Sequence, residues 1–497
     1  MPTLELLVLV VSSLLLFGIV ASRLSGVFGV PALLIFIAVG LLAGDEGIGR
    51  IPFYDAQITQ FVGVAALVFI LFSGGLDSNW MAMRRALRGG LALSTLGVIL
   101  TAGMVGLFAH WMLGFSLLEG LLLGAIISST DAAAVFSVLR SRSVGLRRNI
   151  EPMLELESGS NDPMAIFLTV TMISLIKTPE LSGGDLLLSF VRQFALGGLG
   201  GYLGGKAMVW IINHLRLGYD GLYPVLTTTM MLFVYSSVSL LGGNGFLAVY
   251  LAGLMMAQAE FIHKRSLLRF HDGAAWLMQI TMFTLLGLLV TPSRVLAVAG
   301  VGLAVSAFLI FIARPISVFA SLLPFRMHLR DITMIAWVGL RGAAPIILAT
   351  FPLLAGIERS AEIFNIVFFV VITSVLLQGT TIVPVARWLG VNDPVARRRS
   401  PLMEFTTNES FHGELAELVV PPHSAVVGQK IVDMACPKGA LIVLVGRGGD
   451  YIVPQGSTIL HEEDTLLVLA DPPLLTALRQ IIETNRDEES EDASASA

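Results

Sequence analysis

The chain has 497 residues, of which 55% are hydrophobic and only 13% are charged, and its formal net charge is −5 at pH 7. Because soluble globular proteins carry roughly 25% charged residues, this composition excludes a disordered chain and an ordinary cytosolic enzyme, and it is typical of a polytopic membrane protein. The negative net charge argues against a nucleic-acid partner, since proteins that bind nucleic acids are usually basic.

Thirteen apolar segments occupy the first part of the chain. Because about 20 residues cross the hydrocarbon of a bilayer, we predict a membrane helix in each. The segments are 4–22, 31–44, 57–75, 89–109, 117–139, 154–176, 188–212, 222–241, 244–259, 273–290, 296–322, 332–351 and 362–386. Together they predict a transmembrane domain over residues 1–390 that is surrounded by membrane lipid.

The loops between these segments differ in their content of lysine and arginine. Alternate loops hold Arg23, Arg84, Arg85, Arg88, Arg140, Arg142, Arg147, Arg148, Arg216, Lys264, Arg265, Arg269, Arg326 and Arg330. The opposite loops hold only Arg50, Lys177, Arg294 and Arg359. Since cytoplasmic loops are enriched in these two residue types, we predict that the N-terminus lies outside the membrane and the C-terminus lies in the cytoplasm.

The composition changes after the basic run at residues 397–399. Short apolar runs separated by turn residues predict β-strands, and the segment LLTALRQIIE predicts a helix after them. We therefore predict a linker over 391–411 and a small cytoplasmic α+β domain over 412–484. Residues 485–497 are acidic and nearly devoid of apolar side chains, so we predict a disordered tail.

Four ionisable residues fall deep within the predicted membrane helices, namely Asp131, Glu157, Asp162 and Arg341. Charged groups at this depth are costly and usually functional. On one helix, Glu157 and Asp162 would point about 140° apart, so they do not share a ligand, and we predict a buried ion pair between Glu157 and Arg341. Lys206 and Arg314 are further cations whose depth in the membrane the pattern leaves open.

Asp162 is the predicted site of ion binding. Ser158 shares its helix face four residues earlier, and Asn161 adds an amide oxygen. Hard cations need oxygen ligands, and a carboxylate also accepts a proton. Competition between a cation and a proton for Asp162, at a site with alternating access, amounts to exchange. The alternative is a packing carboxylate that is paired with Lys206 or with backbone groups.

Two predicted helices contain residues that interrupt a helix. Thr130 and Asp131 end the polar run ISSTD, and Pro345 follows Arg341 in the other helix. Broken helices present helix ends and free carbonyl groups to ions in transporters, and the dipole of a helix N-terminus would stabilise Asp131. The alternative is an ordinary pair of kinked helices.

The motif ESGSNDP, with STD before it and GLRGA after it, resembles the monovalent cation:proton antiporters of the NhaP type. Within them it is most similar to bacterial potassium/proton antiporters with a cytoplasmic regulatory domain. The resemblance implies a homodimer and an inverted-repeat fold of about 13 transmembrane helices with crossed, broken helices. It places ion binding at Asp162, Asn161, Ser158, Thr130 and Asp131, and a structural ion pair at Glu157 and Arg341. An asparagine at position 161, instead of a second aspartate, implies electroneutral exchange.

The chain departs from the family pattern in two places. Ala132 stands where a proline often follows the Thr-Asp pair, and this argues for a less sharp break in that helix. Gly159 and Ser160 replace a bulky residue before Asn-Asp, so the preference between K+ and Na+ stays open.

Residues 412–484 resemble the RCK C-terminal (TrkA-C-like) regulatory domain of potassium-conductance proteins. The segments PPHSAVVGQKIVDM, VGRGGDYIVPQGSTIL and HEEDTLLVLAD carry the resemblance. It implies regulation of transport either by a small ligand, which the sequence does not identify, or through dimerisation. Because the dinucleotide-binding half that often precedes this domain is lacking, we predict no NAD and no other cofactor.

The sequence predicts no resident metal and no phosphate loop. Cys436 is the single cysteine, and the eight histidines lack paired metal-binding spacing. The segment GGLGGYLGGKA contains GxxxxGK but ends in Ala207, where a phosphate loop needs Ser or Thr. Its glycines, spaced four residues apart, predict close helix packing instead.

We therefore predict a bacterial inner-membrane antiporter, not an enzyme, that exchanges K+ or Na+ for H+ by alternating access under control of the cytoplasmic domain. One alternative is a Na+-selective sodium/proton antiporter. Another is a ligand-gated cation channel, against which the chain offers no TVGYG-like filter. A third is a membrane sensor that binds ions without transporting them, but no kinase, phosphatase or cyclase signature is present to receive its signal.

Overall fold

The computed structural model describes residues 4–28, 31–142, 144–147, 150–394, 414–422, 424–434, 436–447 and 450–483. The chain divides into two compact units, residues 1–395 and 396–497. Of the predicted linker, residues 392–394 pair with the first unit, and 395–411 lie outside the described residues. The predicted disordered tail, 485–497, also lies outside them.

The first unit is almost entirely helical. Its helices are α1 Leu4–Phe28, α2 Ala32–Ala43, α3 Ala56–Asp77, α4 Trp80–Ala92, α5 Val98–Leu113, α6 Leu117–Ile127, α7 Ala132–Ser141, α8 Ile150–Lys177, α9 Gly183–His214, α10 Leu222–Leu240, α11 Gly245–Gln258, α12 Lys264–Leu289, α13 Pro292–Ala297, α14 Ala299–Phe308, α15 Arg314–Leu322, α16 Leu329–Trp337, α17 Ala343–Ala355 and α18 Ser360–Leu389. Short π-helical segments at Leu93–Gly97 and Leu309–Ala313 join α4 to α5 and α14 to α15. A short antiparallel pair, β1 Val144–Leu146 and β2 Asn392–Pro394, ties the end of α18 to the loop before α8.

Within the described residues, nine helical stretches have the length and composition to cross a membrane, and four shorter apolar helices accompany them. These thirteen stretches overlap the thirteen predicted segments, and the largest shifts are at the starts of α4, α12 and α17. The prediction of a polytopic helical protein is confirmed, and the number of spans stays a prediction.

Two of the predicted segments are broken in the middle. The first is divided between α6 and α7 by non-helical residues 128–131, and the second between α16 and α17 by residues 338–342. The break between α6 and α7 forms although Ala132 replaces the expected proline. Pro345 does not itself break a helix, because it lies in the first turn of α17, where its missing N–H removes no intrahelical hydrogen bond.

The glycine-rich segment 197–207 lies inside α9, so it forms no phosphate loop. A side chain added at Gly197, Gly201 or Gly205 would collide with α11, which confirms the predicted close helix packing. Lys206 lies on the exposed side of α9, 4.5 Å from the centre of the Tyr202 ring, and is therefore not the partner of Asp162.

The second unit is a small α+β domain, as predicted. Its strands β3 Glu414–Val419, β4 Leu441–Arg447, β5 Asp450–Ile452 and β6 Thr465–Ala470 form an antiparallel sheet in the order β3-β6-β4-β5. Helix α19, Pro472–Glu483, contributes Leu475, Leu478 and Ile482 to the apolar core of the sheet. The unit therefore has its own hydrophobic core.

Candidate ion-binding site

The first half of α8 contacts the break between α6 and α7. The backbone N–H of Ala132 donates to the Ser158 hydroxyl at 3.1 Å, and the Asn161 amide donates to the Thr130 hydroxyl at 2.6 Å. Side chains of α8 thus satisfy backbone and hydroxyl groups that the interrupted helix leaves without partners. Ser158 and Asn161, both predicted cation ligands, thus each form a hydrogen bond that fixes the non-helical segment between α6 and α7.

The two breaks also contact each other. The N–H of Asp131 donates to the carbonyl of Leu340 at 2.8 Å. Gly342 packs against the Asp131 side chain, which occupies the space that a Cβ at position 342 would need. This close approach explains the glycine in GLRGA and places the free backbone groups of both interrupted helices at one point.

Asp131 is the N-cap of α7, and its carboxylate accepts a hydrogen bond from the N–H of Ala134 at 3.1 Å. The predicted location of Asp131 at a helix N-terminus is therefore what the structure shows. An aspartate in this position satisfies an orphan backbone donor and benefits from the helix dipole.

The carboxylate of Asp162 accepts a hydrogen bond from the Ser129 hydroxyl, and the residue is only 8% exposed. In the described part of the chain it forms no ion pair within 4.0 Å. The sequence did not predict Ser129, in the run ISSTD, as a partner of Asp162, because the pattern does not show which hydroxyl of the run faces α8.

The structure corrects one predicted pair. Glu157 binds Arg314, with Nη1 2.5 Å and Nη2 3.0 Å from its two carboxylate oxygens, and not Arg341. Both side chains of the pair are almost fully buried. Arg341 instead donates to the carbonyl oxygens of Ser128 and Ser129 at 2.6 and 2.7 Å.

The reason for this correction lies in the helix ends. Arg341 sits in the break before α17, close to carbonyl groups that residues 128–131 leave without intrahelical donors. Arg314 begins α15 directly after the π-helical segment, and its guanidinium faces the side of α8 that carries Glu157. Arg314 therefore binds a carboxylate, whereas Arg341 binds backbone carbonyl groups.

A cavity of about 220 Å³ reaches Asp162. Thr130, Asp131, Ser158 and Asp162 line it, whereas the other predicted ligand, Asn161, does not. The Asn161 oxygen Oδ1 is buried and has no hydrogen-bond partner in the part of the chain that the structure describes. The cavity therefore offers carboxylate and hydroxyl oxygens, which suit a hard cation, and the described residues contain no cluster of three or more His, Cys, Asp or Glu that would hold a resident metal.

Comparison with known proteins gives two family matches. The family described as "Sodium/hydrogen exchanger, transmembrane" matches residues 11–388, and the family described as "TrkA-C domain" matches residues 415–483. The first match covers most of the helical unit, and the second covers the sheet unit. Both predicted resemblances are thereby confirmed.

Similar proteins agree with these matches. The K(+)/H(+) antiporter NhaP of Alkalimonas amylolytica is 40% identical over 479 residues, which are 95% of this chain and 83% of that protein. The K(+)/H(+) antiporter NhaP2 of Shewanella oneidensis is 41% identical over 470 residues, covering 93% and 81%. The solved structure of the sodium proton antiporter MjNhaP1 from Methanocaldococcus jannaschii has a TM-score of 0.68 at 24% identity and covers 76% of this chain. This last similarity confirms the fold.

Proposed function

The chain belongs to the sodium/hydrogen exchanger family, and from this we propose that it exchanges K+ for H+ by alternating access, with Asp162 as the residue that binds the two ions in turn. The observation that carries the proposal is the environment of Asp162. Its carboxylate is buried, has no ion-pair partner among the described residues, and is reached by a cavity lined with oxygen atoms.

The exchange follows from what one carboxylate can do. With a cation bound, Asp162 is ionised, and the hydroxyl of Ser129 and the oxygens of Thr130 and Ser158 complete the ligand set. With a proton bound, Asp162 is neutral and no cation is held. Because Asn161 supplies an amide where a second carboxylate would add charge, the proposal includes electroneutral, one-for-one exchange.

The break between α6 and α7 provides the structural basis for alternating access. Hydrogen bonds from Arg341 to the carbonyls of Ser128 and Ser129 keep this non-helical segment next to Asp162. Non-helical backbone at membrane depth is tolerated where it is buried in protein or lines a cavity. We assign to Glu157 and Arg314 the task of holding α8 and α15 together while the cavity changes sides.

The proposal extends to location and assembly. We assign the protein to a bacterial inner membrane, and the lysine and arginine bias of the loops supports a periplasmic N-terminus and a cytoplasmic C-terminus. Only 11% of the apolar window of α9 is buried within the chain, which suits a surface that meets lipid or a second copy in a homodimer. The TrkA-C match supports regulation of transport by the second unit through a small ligand.

The test uses purified protein in sealed vesicles with an imposed pH gradient and a pH-sensitive dye. We expect K+ to release protons from the gradient, with no effect of clamping the membrane potential, and Asp162→Asn to abolish the signal. Asp185→Asn is the matched control, because it makes the same change at an exposed N-terminal turn of α9.

Other outcomes are decisive too. A signal with Na+ but not K+ would favour the sodium/proton antiporter, a reading that the 26% identical Na(+)/H(+) antiporter ApNhaP of Aphanothece halophytica keeps open. Cation flux without proton movement would favour a channel. Full activity of Asp162→Asn would overturn the assignment of the ion site.

A further inference from the structure

A second carboxylate of α8, besides that of Asp162, lines the same cavity. Glu155 precedes Asp162 by seven residues, which corresponds to about 10 Å along the helix and a rotation of only about 20°. Glu155, Ser158, Gly159 and Asp162 all line the cavity. One face of α8 therefore presents two carboxylates to the same space, about two turns apart.

Glu155 is partly buried and is not neutralised by a cation. The Ser78 hydroxyl at the end of α3 donates to its carboxylate at 3.5 Å, and no ion pair to Glu155 is found among the described residues. The remaining charged groups on the cavity wall are Asp77 and Arg140, which are exposed, and Asp131, which caps α7. A carboxylate withdrawn from water without a partner is unfavourable, and a bound cation would offset that cost.

Tyr250 of α11 supplies an independent observation. The residue is 3% exposed, and its buried hydroxyl has no hydrogen-bond partner among the residues that the structure describes. The ring lies where a side chain of residue 159 would be, so Gly159 is required for this approach. Ser78 and Glu155, whose side chains are 3.5 Å apart, line the same cavity as Tyr250. Buried hydroxyl groups in native proteins nearly always have a partner, and the residue that carries this one lines the cavity.

We propose that Glu155, Ser78 and Tyr250 form a second site for a monovalent cation, separate from Asp162 and connected to it by the same cavity. One carboxylate and two hydroxyl oxygens are hard ligands with a single negative charge, which suits an alkali cation. The site holds the cation before or after it occupies Asp162. The inference rests on the proposed antiport function, because it assigns the second site to the same transported ion.

The test separates the two sites by removing Asp162 first. Full-length protein in lipid nanodiscs is titrated with radioactive Rb+ as the probe for K+. We expect Asp162→Asn to retain Rb+ binding. Adding Glu155→Gln should weaken that binding at least about tenfold, and adding Tyr250→Phe, which keeps the ring against Gly159, should weaken it less. The matched control adds Glu151→Gln, the same change one turn away, where the carboxylate accepts a hydrogen bond from the N–H of Leu146.

Loss of all Rb+ binding in Asp162→Asn, or unchanged binding after Glu155→Gln is added, overturns the second site. A transport measurement covers the case in which a double variant does not fold. In the otherwise unchanged chain, Glu155→Gln should raise the K+ concentration for half-maximal exchange about tenfold with little change in maximal rate, and an unchanged half-maximal concentration contradicts the proposal. Wild-type protein that binds Rb+ but moves no protons would overturn the antiport function and leave the site standing.

Discussion

The two polar faces of α8 handle buried charge in opposite ways. On one face, Glu157 is neutralised by Arg314 and closed off from water, with 1% and 4% of the two side chains exposed. On the other face, Asp162 and Glu155 line a cavity and have no cationic partner among the described residues. A paired carboxylate holds helices together, whereas an unpaired one that faces a cavity is available to an ion. The comparison assigns structure to one face and transport to the other.

The largest expected effect on stability comes from breaking the paired face. Arg314→Met leaves Glu157 buried without a partner, and removing one member of a buried pair typically costs about 3–5 kcal/mol. We expect a clear fall in the melting temperature of the purified protein, followed by tryptophan fluorescence. The double variant Glu157→Gln/Arg314→Met removes both charges and should recover most of the loss.

The same double variant sharpens the comparison between the faces. If Glu157 acts only through Arg314, the double variant should retain K+-driven proton exchange in vesicles. Equal melting temperatures for the single variant and the wild type would show that the pair does not hold α8 and α15 together.

The second prediction concerns the arginine that the sequence had paired with Glu157. Arg341→Met removes the donor to the carbonyls of Ser128 and Ser129, and each unsatisfied buried group costs about 1–3 kcal/mol. Because these carbonyls belong to the break beside Asp162, we expect exchange in vesicles to fall more steeply than stability. For Arg314→Met we expect the reverse order. A variant of Arg341 that loses stability but keeps its exchange rate would contradict this division of roles.

The sequence predicted the separation of the two faces but not the partners. Helical geometry alone places Glu157 and Asp162 about 140° apart, and the structure assigns them to different surroundings. The predicted partner of Glu157 was wrong because hydropathy shows where an arginine lies along its own helix. It does not show which helix lies next to that arginine. Arg314 and Arg341 are both predicted to be intramembrane cations, and only the tertiary contact of the Arg314 side chain with Glu157 distinguishes them.

Local pattern also explains what was found and what was missed. The breaks near Asp131 and Arg341 were predicted because small polar residues interrupt apolar runs there. Tyr250 was missed because it reads as one apolar residue of α11, and its role depends on the absence of a side chain at Gly159, 91 residues earlier. Contacts of this kind arise from tertiary packing and leave no periodic signal in the chain.

The third prediction tests whether Asp131, which lines the cavity, acts through its charge or through its cap. Asp131→Ala removes the N-cap of α7 and should cost about 1 kcal/mol of stability, whereas Asp131→Asn keeps the cap and should restore the melting temperature. Exchange by Asp131→Asn then reports on the charge alone. Exchange near the wild-type rate would show that Asp131 acts as the N-cap of α7. A large loss of exchange would show that its charge contributes to ion binding together with Asp162.

The smallest expected effect lies in the sheet unit, where a second arginine–carboxylate pair is partly open to water. Arg447 donates to both oxygens of Asp464 at 2.9 and 2.7 Å, and the N–H of His461 donates at 2.8 Å. Burial raises the pKa of the Asp464 carboxyl, but these hydrogen bonds and the charges of Arg447 and His461 lower it more, so the pKa lies below its ordinary value. In contrast to the Glu157 pair, in which both side chains are buried, Arg447 is partly exposed to solvent.

The sign of the pH dependence follows from that lowered pKa. The pair stabilises the unit fully above the unfolded-state pKa of about 3.9, and the contribution is lost as the pH falls through the lower folded-state value. Hydrogen exchange of peptides from β4 and β6 in the full-length protein should therefore report constant protection from pH 7 to about pH 4, after correction for intrinsic rates, and weaker protection below. Asp464→Asn should remove the dependence, since it leaves no carboxylate to titrate at this position. Protection in Asp464→Asn that still falls over the same interval would assign the effect to other carboxylates of the unit.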